Sequence, residues 1–127
     1  MGLDMHLEGR RYLWGDSEME EGFLCKEKIY ELAYWRKHPN LHGYIVQSFA
    51  DGVDDCRPIE LGQEHIQQIM AAIRNKQLPH TEGFFFGTSR QDREQCDSDL
   101  AIFTRALFWV QADDPGAMRS IRYVASW

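Results

Sequence analysis

The sequence predicts an α+β fold, in which a small antiparallel or mixed sheet that includes the N- and C-terminal strands carries about three helices. Both ends of the chain alternate between apolar and polar residues, as strands do, and three internal segments repeat apolar residues at helical spacing. The elements follow in the order β-β-α-(β)-α-(β)-α-β, so helical crossovers cannot join all the strands. The length of 127 residues predicts one globular domain over residues 1–127.

The N-terminal half predicts two strands and one helix. Residues 1–14 alternate as a strand does, and residues 15–22 are typical of an acidic loop bracketed by glycines. The segment from Cys25 to Trp35 fits a strand or a helix face, and its aromatic content favours the strand. A helix is predicted from Pro39 to Ala50, because proline suits a first helical turn and Asp51-Gly52 stops it.

The C-terminal half predicts two helices and a closing strand. Pro58 to Leu61 is at most a short edge strand, because proline cannot donate to a sheet ladder. Residues 63–76 follow the i, i+3, i+4, i+7 spacing of an amphipathic helix. Ser89 and Asp92 form a capping-box pattern that opens a helix running to about Ala112. A turn then leads into a strand from Met118 to Trp127, which we expect to pair with the N-terminal strand near the centre of the sheet.

Charge and cysteine content restrict the classes of partner and compartment. The chain carries 14 Lys and Arg against 20 Asp and Glu, a net charge of −6, which argues against a nucleic-acid partner. Cys25, Cys56 and Cys96 are an odd set without C-x-x-C spacing, as expected of reduced thiols in a cytoplasmic protein. The N-terminus is too polar for a signal peptide, and no apolar run suits a membrane helix. We therefore expect a cytoplasmic location, no membrane partner and no cofactor.

The block Y-W-R-K-H-P-N-L-H at 34–42 places several polar side chains where the second strand should give way to the first helix. Backbone N–H groups at such a junction favour anions, and the planar guanidinium of Arg36 suits carboxylate or phosphate. An alternative is structural, with Arg36 pairing with Asp54 or Asp55 to hold the loop against the sheet. The ligand-binding candidates are Arg36, Lys37, Asn40 and His42.

A metal site is not predicted in this block. His38 and His42 are four residues apart, which is the spacing of metal ligands on a helix. Pro39 disfavours helical geometry at His38, because a residue before proline avoids the α region. A histidine such as His42 alone is more often hydrogen-bonded and half-buried than a metal ligand.

The block D-G-V-D-D-C at 51–56 follows the predicted first helix and carries the catalytic candidates. Adjacent carboxylates and a histidine can share acid–base work or hold a divalent cation, and a cysteine with a histidine can form a nucleophile pair. The structural alternative is that a carboxylate caps the loop backbone and Cys56 is packed. The catalytic candidates are His42, Asp54, Asp55 and Cys56.

The block G-F-F-F-G lies at the end of an irregular or extended segment from Leu78 to Gly87. It lacks both the glycine pattern and the lysine of a phosphate-binding loop. Its three phenylalanine rings are therefore the feature from which a role is predicted. On a strand, Phe84 and Phe86 would face one way and Phe85 the other, with one side in the core. Two further aromatic residues lie off the main apolar stripe of the third helix. The predicted interaction surface, for a partner protein or a homodimer, comprises Phe85, Phe108 and Trp109.

These blocks resemble a family of small phage and prophage proteins over the whole length of the chain. Those proteins open with M-G-L-D-M, carry Y-W-R-K followed by histidine, then D-G-V-D-D-C and G-F-F-F-G, and end near S-W. The matching positions here are Met1 to Leu7, Tyr34 to Tyr44, Asp51 to Cys56, Gly83 to Gly87, and Ser126-Trp127. His6 replaces a tyrosine, and Gly43-Tyr44 replaces a charged residue followed by tryptophan. The resemblance implies a phage or prophage origin and carries no assigned mechanism.

Two functions follow as expectations. The first is a small phage or prophage accessory protein that acts by binding a host or phage macromolecule, in host takeover or against host defence. The second is a small enzyme or ligand-binding protein for a phosphate- or carboxylate-bearing molecule. In that case Arg36 would hold the anion, His42 would act as acid or base, and Asp54 or Asp55 would orient it.

Overall fold

The α+β class is confirmed by a computed structural model that describes residues 2–15 and 19–127. The elements of these residues, in chain order, are β1 Asp4–Leu13, β2 Met19–Glu20, β3 Phe23–Leu24, β4 Glu27–Arg36, α1 Pro39–Phe49, β5 Ile59–Leu61, α2 Gln63–Arg74, α3 Arg93–Gln111 and β6 Ala117–Ser126. No helix of the described residues has the length and apolar character needed to cross a bilayer.

The main sheet has the strand order β4-β1-β6-β5, and every neighbouring pair is antiparallel. The first and last strands pair at its centre, from Asp4 opposite Ser126 to Leu13 opposite Ala117, as expected. The acidic loop predicted at residues 15–22 is wrong in part, because Met19–Glu20 forms β2 and pairs with β3. Residues 16–18 of that prediction lie outside the described residues.

The three helices cover one face of the main sheet, and no helix of the described residues lies on the other face. Leu3, directly before β1, and Met5 and Leu7 within it face the helices and have no exposed surface. Asp4, His6 and Glu8 alternate with them and face the other side. There Glu8 accepts a hydrogen bond from Arg122 of β6 at 2.7 Å. The period-two alternation of the sequence therefore separates an apolar core from a charged sheet surface.

The helices pack on the sheet through the apolar stripes that the sequence predicts. Ile66, Ile69 and Ile73 of α2 are buried at helical spacing. The capping box predicted from Ser89 is wrong, because α3 begins at Arg93 and its N-cap is Asp92, whose side chain accepts from the Gln95 backbone N–H at 2.8 Å. A carboxylate is as good an N-cap as a hydroxyl, and it lies directly before the first helical turn.

The G-F-F-F-G block forms a turn and not a strand. The Phe86 backbone N–H donates to the Gly83 carbonyl at 3.2 Å, and Phe85 has a φ of +61°. Phe86 is buried, whereas Phe84 and Phe85 are exposed, so the predicted pairing of Phe84 with Phe86 on one face is wrong. Strand alternation fails here because the chain reverses within the block.

We predict that Gly43→Ala destabilises the protein by roughly 1–3 kcal/mol, although alanine is a better helix former than glycine. A Cβ at Gly43 would lie 2.0 Å from Thr81 Oγ1 and 2.8 Å from Thr81 Cβ. Thr81 cannot retreat freely, because its backbone N–H donates to Asn40 Oδ1 at 3.1 Å. Urea unfolding should show the loss, and Thr81→Gly in the same chain should restore most of it. A Gly43→Ala variant more stable than the wild type would contradict this packing.

Candidate functional site

His42 is the centre of the site that the sequence predicted. It lies in the first turns of α1 with only 2% of its surface exposed. Its Nδ1 lies 2.6 Å from the Tyr123 hydroxyl, and its Nε2 lies 2.9 Å from Asp54 Oδ2. A carboxylate only accepts, so Nε2–H donates to Asp54 and Nδ1 accepts from the tyrosine hydroxyl. The structure thus brings two of the catalytic candidates together, in the order Tyr123–His42–Asp54.

The second oxygen of Asp54 ties this chain of hydrogen bonds to the aromatic residues around it. Trp127 Nε1 donates to Asp54 Oδ1 at 3.1 Å. The ring of Phe86 meets the ring of His42 edge-on, with the centroids 5.4 Å apart. The buried histidine therefore contacts three separate segments: the loop after α1, the end of β6, and the G-F-F-F-G turn at 83–87, which we call the phenylalanine turn.

Arg36 lies in a different group. It donates to Asp4 Oδ1 at 2.8 Å, and the Tyr34 hydroxyl donates to the same oxygen at 2.5 Å. The hydrogen bond from Tyr34, followed by that from Arg36, lowers the pKa of the Asp4 carboxyl below its ordinary value. The expectation that Arg36 pairs with Asp54 or Asp55 is wrong, because antiparallel pairing of β1 with β4 sets Arg36 directly opposite Asp4.

Asp55 and Cys56 are next to Asp54 in sequence, but neither hydrogen-bonds with His42 or Trp127 as Asp54 does. Asp55 forms a salt bridge of 2.5 Å with Arg57, and the hydrogen bond from Arg57 lowers the pKa of the Asp55 carboxyl. Cys56 is exposed and has a φ of +64°, so the expectation of a packed cysteine is wrong. The tight turn through Cys56 directs its side chain to solvent.

Lys37 and Asn40 hold backbone segments together. Lys37 has a φ of +56°, and a Cβ on Gly87 would lie 3.0 Å from Lys37 Cδ, so the lysine stem runs against the phenylalanine turn. Asn40 is buried, and its side-chain carbonyl accepts from the Thr81 backbone. Both residues therefore position the segment that carries G-F-F-F-G.

The exposed rings of Phe84, Phe85 and Trp127 form a surface at one end of the sheet, which we call the aromatic end. Phe84 and Phe85 are 77% and 49% exposed, and their ring centroids lie 4.1 Å apart. A shallow open cleft between these three rings is completed by Gly2, Asp4 and Ser126. Residues from three distant parts of the chain thus meet at one exposed place.

The other predicted interaction residues lie elsewhere. Trp109 packs over Gly9, where an added Cβ would lie 2.8 Å from the indole ring, and the guanidinium of Arg119 lies 4.8 Å from the centre of that ring. Phe108 is 71% exposed beside it. Phe85 is close to Gly2, and the strand from Gly2 to Gly9 spans roughly 20 Å. The structure therefore separates Phe85 from Phe108 and Trp109.

A second buried polar cluster is absent from the sequence-based prediction. His38 bridges Ser89 and Asp99, which lie on the segment before α3 and on α3 itself. Asp99 falls on the buried side of α3, four residues before the core residue Phe103. A lone carboxylate within an apolar helical stripe was the signal that could have identified this cluster.

The Tyr123 phenol gives a testable pH dependence. Burial, and then the negative charges of Asp54 and Cys56, raise the pKa of Tyr123 above its ordinary value of 10.0. The folded state thus retains the proton where the unfolded state loses it. The stabilisation is fully present below pH 10 and falls as the pH rises beyond it, by up to about 1.4 kcal/mol per pH unit.

We therefore expect wild-type protein to lose more stability than Tyr123→Phe between roughly pH 10 and pH 11. Denaturant unfolding at each pH measures this difference. Tyr34→Phe is the matched control, because Asp4 also raises the pKa of Tyr34 but that residue is half exposed to solvent. Parallel stability curves for wild type and Tyr123→Phe would contradict the burial of the Tyr123 phenol.

Within residues 2–15 and 19–127, no group of three or more histidine, cysteine, aspartate or glutamate side chains could hold a metal ion. Every buried side-chain nitrogen and oxygen of the described residues has a hydrogen-bond partner. Comparison of the chain with family models, curated proteins and solved structures gives no match.

Proposed function

We propose that this chain is a small phage or prophage accessory protein that binds a host or phage protein through the aromatic end. The observation that carries the proposal is the pair of adjacent exposed phenylalanines, Phe84 and Phe85, beside Trp127. Large aromatic side chains contribute much of the energy of protein interfaces when a partner buries them. The phage or prophage origin rests on the resemblance of the sequence blocks.

The turn that carries these rings is rigidly supported. Phe86 anchors it in the core, and a Cβ on Gly83 would lie 2.4 Å from the Phe86 ring, so the turn has no room for a side chain there. Phe85 is held in the left-handed region, which costs a non-glycine residue about 1–2 kcal/mol. A contact loop that is already ordered loses less entropy when it binds.

Polar groups border the aromatic end, as they border many protein interfaces. Asp4 lines the cleft beside Phe84 and Phe85, and it binds Arg36 and Tyr34 at the adjoining edge of the sheet. An apolar centre with a polar rim favours a protein partner. The net charge of −6 disfavours a nucleic-acid partner.

A cytoplasmic location is part of the same proposal. All three cysteines are free thiols, and Cys56 is exposed. Exposed thiols fit the reducing conditions of the cytoplasm better than an oxidising compartment. A partner encountered there would be a host or phage protein or a second copy of this chain.

The alternative is an enzyme or ligand-binding protein that uses Arg36, His42 and Asp54 or Asp55. Arg36 binds Asp4 and Asp55 binds Arg57, while both nitrogens of the buried His42 are engaged. A shared ligand would have to displace several of these contacts. We therefore favour the binding protein.

We predict that Phe84→Ala together with Phe85→Ala abolishes capture of a partner from host lysate that retains the wild type. Once that partner is purified, its affinity for the double variant should be at least tenfold weaker, because interface hot spots cost about 2 kcal/mol or more when truncated. Quantitative mass spectrometry of the captured proteins, followed by titration calorimetry, makes both measurements.

Phe23→Ala is the matched control, because Phe23 of β3 is 76% exposed and lies in another part of the fold. Capture should survive this substitution. Equal capture by the wild type and the Phe84/Phe85 variant would contradict a role for the aromatic end. Sedimentation that shows a dimer dissociated by the double variant would identify the partner as a second copy.

A further inference from the structure

His38, Ser89 and Asp99 form a chain of hydrogen bonds separate from the aromatic end. Ser89 Oγ lies 2.8 Å from His38 Nδ1, and His38 Nε2 lies 2.7 Å from Asp99 Oδ2. All three residues are buried, with 8%, 6% and 1% of their surfaces exposed in the order Ser89, His38 and Asp99. A hydroxyl, an imidazole and a carboxylate are thereby aligned as in an activated nucleophile.

The surrounding donors fix the direction of these hydrogen bonds. Asp99 Oδ1 accepts from Trp35 Nε1 at 2.9 Å and from Gln95 Nε2 at 2.8 Å. An ionised Asp99 only accepts, so the proton between it and His38 lies on Nε2 and neutral His38 presents a lone pair at Nδ1. Ser89 Oγ accepts from the Asn40 backbone N–H at 2.9 Å, which leaves its own hydrogen for donation to His38.

Capping of α1 does not account for the whole arrangement. A hydroxyl at Ser89 satisfies the Asn40 N–H without an imidazole or a carboxylate beside it. Burial of a carboxylate is costly unless its hydrogen bonds are complete, and here Trp35, His38 and Gln95 complete them. Two supporting donors, from Trp35 and Gln95, thus hold the carboxylate that orients the imidazole towards Ser89.

A small cleft opens beside the hydroxyl. Its volume is about 50 Å³, and its walls include His38, Ser89 and Asp99 together with Lys76 and Arg90. Arg90 is paired with Asp92 at 2.9 Å. Drug-sized ligands occupy pockets of roughly 300 Å³ or more, so this cleft suits only a short group such as an acetyl.

We propose that Ser89 is a nucleophile for acyl transfer from esters of short carboxylic acids, with His38 as its general base and Asp99 as the residue that positions His38. This activity is independent of the partner surface at the aromatic end. The hydroxyl is hydrogen-bonded to a base that a third group orients, which is the arrangement of an activated serine nucleophile.

The proposed step balances without a cofactor. Ser89 Oγ attacks the acyl carbon while its proton passes to His38 Nδ1. The bond from the acyl carbon to the leaving oxygen breaks, and the leaving group takes the proton from His38 to depart as an alcohol. In the second half, His38 takes a proton from water as the oxygen of that water bonds to the acyl carbon. The bond from the acyl carbon to Ser89 Oγ then breaks, Oγ takes the proton back from His38, and the carboxylic acid departs.

The test uses p-nitrophenyl acetate with the whole chain in a Cys56→Ser background, because the exposed thiol of Cys56 would also react with this ester. We expect a burst of p-nitrophenolate and an acetyl group on the peptide that contains Ser89, located by mass spectrometry. Asp99→Asn should slow acetylation by about 100-fold or more. Absence of acetyl at Ser89 in the folded protein would overturn the proposal.

Asp99→Asn separates catalysis from structure. The amide oxygen can still accept from Trp35 and Gln95, but its NH₂ group donates to His38 Nε2 and moves the histidine proton to Nδ1. Nitrogen-15 NMR of the imidazole should show this exchange of tautomers while the unfolding temperature stays close to that of the wild type. His38→Gln should also abolish the burst, and Ser48→Ala, at an exposed serine of α1, should not. Equal acetylation rates in wild type and His38→Gln would overturn the assignment.

Discussion

Phe103→Ala should lower the free energy of unfolding by about 3–5 kcal/mol, the largest loss expected from a single substitution in this chain. Phe103 has no exposed surface, and its ring stacks on that of Trp35 with the centroids 5.6 Å apart. Truncation leaves a cavity between α3 and the sheet that the surrounding residues cannot fill. Urea denaturation at neutral pH measures the change.

Phe108→Ala provides the comparison on the same helix. Phe108 is 71% exposed, so its removal should change stability by no more than about 0.5 kcal/mol. A loss of several kcal/mol at Phe108, or a negligible one at Phe103, would mean that α3 is rotated about its axis. The pair therefore tests which face of α3 meets the sheet.

His42→Ala should cost roughly 3 kcal/mol, because it combines a cavity with a lost buried hydrogen bond. The substitution leaves the Tyr123 hydroxyl without its acceptor and Asp54 without its donor. Near-UV circular dichroism should change as well, since Phe86 packs on this histidine and Trp127 donates to Asp54, which loses its donor.

A double-mutant cycle with Tyr123→Phe isolates the hydrogen bond between the two rings. After His42→Ala, removal of the Tyr123 hydroxyl should be neutral or favourable, because the hydroxyl would otherwise remain buried and unpaired. Strictly additive losses in the cycle would contradict the 2.6 Å contact. Unfolding free energies of the four proteins give the coupling directly.

Periodicity predicted the regular elements because each of them buries one face. The alternation in β1 and the apolar stripe of α2 both result from that burial. The observed bounds of these elements differ from the prediction by only a few residues. The hairpin of β2 and β3 has no apolar periodicity, because all four of its strand residues are exposed. Nothing in its sequence distinguishes a short exposed hairpin from a loop.

The sequence blocks could identify His42 and Asp54 as site candidates, but they could not identify Tyr123 as the third member of the hydrogen-bonded chain. Tyr123, which completes the chain of hydrogen bonds, reaches His42 only because β6 pairs at the centre of the sheet under α1. The same limit applies to Ser89. Local sequence favoured it as the cap of its own helix, whereas it caps α1 across a tertiary contact with Asn40.

The central pairing of β1 with β6 has a consequence for synthesis on the ribosome. Asp4 pairs with Ser126, so almost the whole described chain must be made before the middle of the sheet can close. Until then β1 can pair only with β4, and the edge of β1 that pairs with β6 has no partner. The apolar side chains of Leu3, Met5 and Leu7 lie along this unfinished part of the sheet. Such long-range closure is slow compared with the formation of local helices. During synthesis there is thus an interval in which β1 is present but β6, its partner at the centre of the sheet, is not. We expect chaperones to bind the exposed apolar residues during that interval.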